Sequence, residues 1–262
     1  MTDPSHYVHG STDAREIARL EKQGDWTASF TFADFDAAPG MRVLDLATGV
    51  GAMAHRLIAA FPGISLVGID LSDQQLAAAH ANHPEIPIAR ADATRMPFAD
   101  ATFDRIHCSW LLEHVPDPVA VLREVRRVLK PGGYCQFMEV DNASYRTTPV
   151  FTEVDLVMSA LNAAQQRAGG NPFVGQVLDQ YFKSAGFSRF TVEPKTLVGT
   201  LADPPFLQMF IDEFAEILEG LDESLGPAMV PTIATAAGQL RSLASLPGGE
   251  LRYVGRLAKG WR

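Results

Sequence analysis

Between residues 41 and 139, short apolar runs alternate with stretches whose apolar positions recur every three or four residues. That alternation predicts parallel strands with helices on both faces of one sheet. The strands read as residues 42–46, 65–69, 86–90, 103–109 and 134–139. Helices are expected to begin near Gly51, Ser72 and Asp117; Ser72 and Asp117 suit N-caps, and Pro118 suits a first helical position. Pro131, Gly132 and Gly133 are expected to stop the third helix. Further on, Gly186 ends a helix, residues 187–193 read as a sixth strand and residues 251–257 as a last one. These two are able to pair antiparallel at one edge, so the expected class is α/β, a doubly wound, mostly parallel sheet of seven strands.

Three segments fall outside that sheet. The first precedes Pro39 and carries a helix over 13–23, with Glu16 three residues after Asp13 in a capping-box spacing. The second, 150–168, has apolar residues at Phe151, Val154, Met158 and Leu161 and ends at Gly169 and Gly170. The third, 203–246, holds two helices, the first striped by Phe206, Phe210, Phe214, Ile217 and Leu221. The chain is read as a single domain, 1–262, with an N-terminal helical cap (1–39), a ligand-binding core (40–141) and a remainder (142–262) bearing last strands and helical insertions. No internal repeat or low-complexity tract is present.

Composition narrows the classes. Of 262 residues, 47% are hydrophobic and 20% charged, enough for a sizeable core and too apolar for intrinsic disorder. Acidic residues outnumber basic ones 31 to 22, a net charge of −9, and no basic patch interrupts them. Phosphate backbones are repelled by such a balance, so no nucleic-acid partner is expected. Cys108 and Cys135 supply neither a disulfide framework nor a zinc-ligand spacing, so no metal is expected. The N-terminus lacks an apolar leader core and no run of about 18 apolar residues occurs, which predicts a cytoplasmic protein with no membrane partner.

The strongest chemical signal is VLDLATGVGAM, residues 43–53: an apolar strand, two glycines, then a helix. Such a turn brings backbone close to a ligand at a helix N-terminus. Alone it is ambiguous, because Gly49, Gly51 and Ala54 also satisfy the dinucleotide fingerprint. The following strand ends add detail. VGIDLS places Asp70 where a carboxylate accepts both hydroxyls of a ribose, and in ARADAT Asp92 and Ala93 offer a side-chain acceptor and a backbone amide to an adenine edge. CSWLLEHVPDP ends the fourth strand and LKPGGY precedes the fifth.

The whole series resembles the class I S-adenosylmethionine-dependent methyltransferases, in particular their small-molecule branch, over residues 41–139 and more weakly at AGF (185–187) and the last strand. The resemblance implies a Rossmann-like methyltransferase fold, S-adenosyl-L-methionine as cofactor, and cofactor contacts from Asp45, Ala47, Gly49, Gly51, Asp70, Leu71, Asp92, Ala93, Ser109 and Trp110. Gly49 and Gly51 would form the floor under the methionine portion, Asp70 would hold the ribose, and Asp92 with Ala93 the adenine. The family pattern D-x-G-x-G-x-G is broken at its first glycine, which is Ala47 here. The helices over 150–168 and 203–246 bring more apolar surface than a bare sheet needs, and with the N-terminal segment they are read as a lid over a small, partly apolar acceptor lined by Asp141, Tyr145 and Trp110, against simple extra core.

Other residues compete for roles. His114, beside Glu113, is placed to take a proton from the acceptor, against a bland role in shaping a loop. His107 is expected to pack, as are the two cysteines. Tyr7 and Arg19 are candidates to close over the cofactor, Arg19 by a fork on its carboxylate, against a solvated helix face. The DPPF string at 203–206 matches nucleic-acid amino-methyltransferases but follows the wrong strand; an Asp cap before a helical proline accounts for it. A nicotinamide-dependent oxidoreductase is the rival enzyme, disfavoured because none of the five tyrosines has a lysine four residues on. A methyltransferase-like protein that binds the cofactor for another purpose is the second rival. The sequence is silent on oligomeric state.

Overall fold

Leu44, Ile106 and Phe137, at the centres of three neighbouring strands, are wholly buried, as strands covered on both faces must be. The computed structural model describes residues 14–262. In chain order its elements are α1 (Ala14–Thr31), β1 (Arg42–Leu46), α2 (Ala52–Ala60), β2 (Ser65–Asp70), α3 (Asp73–Asn82), β3 (Ile88–Arg90), β4 (Phe103–Ser109), α4 (Pro118–Val128) and β5 (Leu129–Glu139). They continue as β6 (Arg146–Thr148), α5 (Thr152–Arg167), α6 (Leu178–Ser184), β7 (Arg189–Thr200), α7 (Pro204–Glu219), α8 (Asp222–Leu225), α9 (Val230–Ser242) and β8 (Glu250–Trp261).

The sheet runs β3-β2-β1-β4-β5-β8-β6, with β7 also paired to β8. β1 to β5 are parallel, and β8 is antiparallel to β5, β6 and β7. The order reverses at β1, which lies between β2 and β4, and such a switch point opens a crevice at the carboxyl ends of the strands. Phe103, Phe137, Phe182 and Phe210 are fully buried, each contributing about 1.5–3 kcal/mol of transfer free energy.

The α/β class and the antiparallel pairing of the last two long strands agree with expectation. Several boundaries differ. The sheet has eight strands rather than seven, because Arg146–Thr148 adds three residues to the N-terminal half of β8. α4 ends at Val128 with Leu129 already extended, so residues 129–133 belong to β5 rather than to a helix stop; Pro131 forces extended backbone on the residue before it. β7 reaches Thr200 across Pro194, and among the described residues it pairs only with β8, an edge where a missing N–H is tolerated.

α1 ends eight residues later than expected, at Thr31, and runs through Gly24. A Cβ on Gly24 would lie 3.1 Å from Ala52 Cβ and 3.0 Å from Arg56 Nη1, so this glycine lets α1 lie close against α2 instead of ending the helix. The same face is tied down by Arg56, which donates to Asp25 (2.6 Å) and to the Glu21 carbonyl (2.8 Å). The Asp203 side chain accepts from Phe206 N at 3.2 Å ahead of two prolines, so DPPF is a helix cap. The expected cap at Asp13 lies outside the described residues.

Candidate active site

A cavity of about 260 Å³ opens at the ends of β1, β2 and β4 and is closed by residues of α1, α5 and α7. Its floor is the turn after β1. Ala47, Gly49 and Gly51 all take positive φ (56°, 54° and 83°), which turns the chain sharply and presents backbone amides at the start of α2. A Cβ on Gly49 would sit 2.7 Å from Gln75 Oε1. Ala47 adopts the left-handed conformation with a side chain attached, so the departure from the glycine pattern leaves a strained residue in the turn.

Asp70 ends β2 and ties the turn together: Oδ2 accepts from Gly49 N and Oδ1 from Ser72 N, both at 2.9 Å. Leu71 follows on the wall, and Asp92 Oδ1 accepts from Thr94 N at 2.8 Å, fixing the loop after β3. Trp110, at the end of β4, has φ +60°, an uncommon conformation for a bulky residue that functional sites retain.

Beneath this floor His107, expected to pack, instead meets a polar partner. Asp45 faces His107 across β1 and β4, with Nδ1 2.7 Å from Oδ1, and Thr48 Oγ1 donates to the other oxygen at 2.7 Å. His107 Nε2 lies 3.3 Å from Ser109 Oγ. Asp45 and His107 are almost fully buried, yet both reach the cavity wall.

The opposite half of the cavity is apolar, with Val115, Val140, Met158, Leu161, Phe214 and Ile217 on its wall. Among them stand Glu113 and Gln165; Gln165 Nε2 donates to Glu113 Oε2 at 2.6 Å. His114 Nε2 is 3.6 Å from Glu113 Oε1. Burial pushes the Glu113 carboxyl above the usual carboxylate range, with His114 and Gln165 opposing. Glu139, buried behind it and accepting from Leu112 N at 2.8 Å, is pushed up to about 8, chiefly by burial and then by the nearby Glu113 carboxyl. At the α1 edge Arg19 is only 4% exposed; its Nε and Nη2 grip Glu16 (2.8 and 2.7 Å) and its Nη1 meets Glu213 at 2.6 Å.

Of the residues singled out beforehand, Asp45, Ala47, Gly49, Asp70, Leu71, Asp92, Ala93, Ser109, Trp110, Arg19 and His114 all line this one cavity. Gly51, the residue before α2, is not on the wall; a Cβ there would meet His83 Cδ2 at 3.2 Å and Ala79 Cβ at 3.3 Å. Tyr7 lies outside the described residues. Arg19 is buried between carboxylates, not on a solvated face. Asp141 and Tyr145 are not on the wall: Asp141 accepts from Gln176 Nε2 and Arg256 Nη2, and Tyr145 packs against Phe214. Trp26, Thr27, Gln165 and Glu213 went unnoticed. Gln165 and Glu213 carried a readable signal, since each interrupts an apolar helical stripe with a polar residue.

The donor set suits an adenosine-containing ligand. The glycine turn forms a cradle that a side chain at residue 49 would disturb. Trp26 Nε1 and Thr27 Oγ1 on the α1 wall are buried with no hydrogen-bond partner among the described residues, and buried polar groups are normally satisfied. A separate group, His55, His83 and Glu85, places donor atoms within 4.8 Å of one another; its two rings stack at 24° and none of the three residues touches the cavity.

A family model described as a methyltransferase domain matches residues 44–137. The demethylmenaquinone methyltransferase of Streptomyces avermitilis is 38% identical over 140 residues, 52% of this chain and 58% of that one; the chain therefore spans less than two thirds of that relative's length. The enzyme of the same description from Mycobacterium sp. strain KMS is 34% identical over 166 residues, 61% of this chain and 69% of its own. Among solved structures, phosphoethanolamine N-methyltransferase 2 of Haemonchus contortus, in complex with S-adenosyl-L-methionine, superposes with a TM-score of 0.59 at 19% identity, over 91% of this chain and 52% of that one.

Proposed function

This chain belongs to the class I S-adenosylmethionine-dependent methyltransferases, and from that premise we propose that it moves a methyl group from S-adenosyl-L-methionine to a small, partly apolar acceptor held in the half of the cavity walled by α5 and α7. The observation that carries this reading is the continuity of one cavity. The glycine turn, Asp70 and Asp92 stand at one end, and an apolar chamber with a few polar groups stands at the other, the usual make-up of a small-molecule site.

When bound, the cofactor supplies a methyl group activated by a sulfonium. Gly49 and Gly51 shape the floor, Asp70 takes the ribose, Asp92 and the Ala93 amide take the adenine, and Arg19 reaches the carboxylate, with Asp45, Ala47, Leu71, Ser109 and Trp110 completing the contacts. The chain's own contribution to rate is alignment of the acceptor at about 3–3.5 Å and exclusion of water by α1, α5 and α7. His114, on the chamber wall and buried, is the candidate to receive an acceptor proton. α1, α5 and the helices from α7 to α9 act as a lid, within a single domain.

No described helix is long and apolar enough to cross a membrane. A cytoplasmic location belongs to the same reading, supported by two buried free thiols, Cys108 and Cys135. Absence of nucleic-acid binding belongs to it too, supported by the net charge of −9. Parallel titration of the protein with S-adenosylhomocysteine and NAD tests the core of the proposal. A rise in melting temperature with the first alone is expected; a rise with NAD alone overturns it.

A further inference from the structure

Charged groups on the cavity wall are lopsided. Among the described residues, the acids are Asp45, Asp70, Asp92, Glu113 and Glu213, and Arg19 is the one lysine or arginine. Asp45, Asp70 and Asp92 are engaged on the cofactor side by His107, Gly49 N and Thr94. Glu213 shares Arg19 with Glu16, two carboxylates to one guanidinium.

Glu113 differs from all of these. It is 5% exposed, and its side-chain partners are a neutral amide, Gln165, and His114 at 3.6 Å. No lysine or arginine pairs with it among the described residues. A second buried carboxyl, Glu139, stands close enough to raise its own proton affinity through Glu113. Across from Glu113 the Gln165 Oε1 atom is buried with no hydrogen-bond partner among the described residues. A buried carboxyl group without a cation is costly in its charged form, so this corner of an apolar chamber is suited to a ligand that brings the cation itself.

Resting on the methyltransferase reading, we propose that the acceptor is an amine on an apolar body, its ammonium seated on Glu113 and donating also to Gln165 Oε1, its carbon skeleton against Met158, Leu161 and Phe214. Arrival of the ammonium favours the ionised form of Glu113. Before transfer the ammonium gives one proton to the Glu113 carboxylate, which takes the acceptor-proton role in place of the neighbouring His114, freeing a nitrogen lone pair. The methyl–sulfur bond breaks with its electron pair left on sulfur as the nitrogen–methyl bond forms from that lone pair. The product is again an ammonium, and the proton on Glu113 passes to water.

The test uses three probes of one shape: phenethylamine, 2-phenylethanol and 3-phenylpropanoate, titrated calorimetrically into the protein saturated with S-adenosylhomocysteine. The amine is expected to bind at least tenfold more tightly than the alcohol, and the carboxylate not at all. Glu113→Gln is expected to remove the tenfold preference. An alcohol that equals the amine, a preference that survives Glu113→Gln, or no binding by any of the three overturns the proposal. The wild-type ratio decides alone if the variant fails to fold. Should S-adenosylhomocysteine itself not bind, the parent reading falls, and the same titrations on the bare protein still decide the amine preference.

Discussion

His107 and Asp45 stand opposite each other in register on β4 and β1, and their side chains meet at 2.7 Å in a region with almost no solvent exposure. A carboxylate there needs that partner. His107→Leu is expected to cost about 3–5 kcal/mol in urea unfolding, because the Asp45 charge is left buried with only the Thr48 hydroxyl. The double variant Asp45→Asn with His107→Leu should recover part of that loss. A single variant as stable as the parent would show that the pair does not hold β1 to β4.

Ala47 sits at φ +56°, where a Cβ costs about 1–2 kcal/mol and glycine gives back about 0.5–1 kcal/mol through its greater freedom when unfolded. Ala47→Gly is therefore expected to raise stability by up to about 1 kcal/mol without weakening cofactor binding. A clear loss of stability would mean that the turn holds Ala47 by contacts that outweigh the strain.

Asp70 has two tasks, accepting from Gly49 N to set the turn and, in the proposed reading, holding the ribose. Asp70→Ala is expected to weaken S-adenosylhomocysteine binding by about 1–3 kcal/mol while circular dichroism shows the fold intact. Unchanged affinity in the folded variant removes Asp70 from the ribose role.

Arg19 already grips Glu16 with a fork and Glu213 with a third N–H. Arg19→Lys keeps the charge and loses the fork. Titration with S-adenosylhomocysteine and with adenosine separates its tasks. A loss confined to the amino-acid-bearing ligand is expected if Arg19 holds the carboxylate; an equal loss for both assigns Arg19 to holding α1 in place alone.

Glu139 has its pKa pushed up to about 8 in the folded protein, mainly by burial. Below about pH 4.5 the carboxyl is protonated in both states and costs nothing. Between about 4.5 and 8 the unfolded chain ionises first, so stability falls as pH rises, by as much as about 1.4 kcal/mol per pH unit. Glu139→Gln keeps the acceptor for Leu112 N and removes the titration. Its melting temperature should gain on the parent's more at pH 8 than at pH 5, and a parallel pair of pH profiles counts against the shift.

What the linear sequence determined was local and periodic. The strands around Leu44, Ile106 and Phe137 are written as short apolar runs, the caps at Ser72, Asp117 and Asp203 as single residues before helices, and the cradle as Gly49 and Gly51 ahead of α2. Each depends on residues within a few positions of one another, so spacing suffices to find it. Tertiary structure alone decided what lies far apart in the chain. Gly24 looks like a helix end until α2 lies against it, and Arg146–Thr148 becomes a strand only because β8 offers an edge. His107 turns from a packing residue into the partner of Asp45 through strand register, 62 positions away. Gln165 joins Glu113 across 52 positions, and Arg19 joins Glu213 across 194. A buried polar residue is stable only with its partner present, and a helix or strand pattern does not name that partner; the packing of α1, α5 and α7 over the strand ends does.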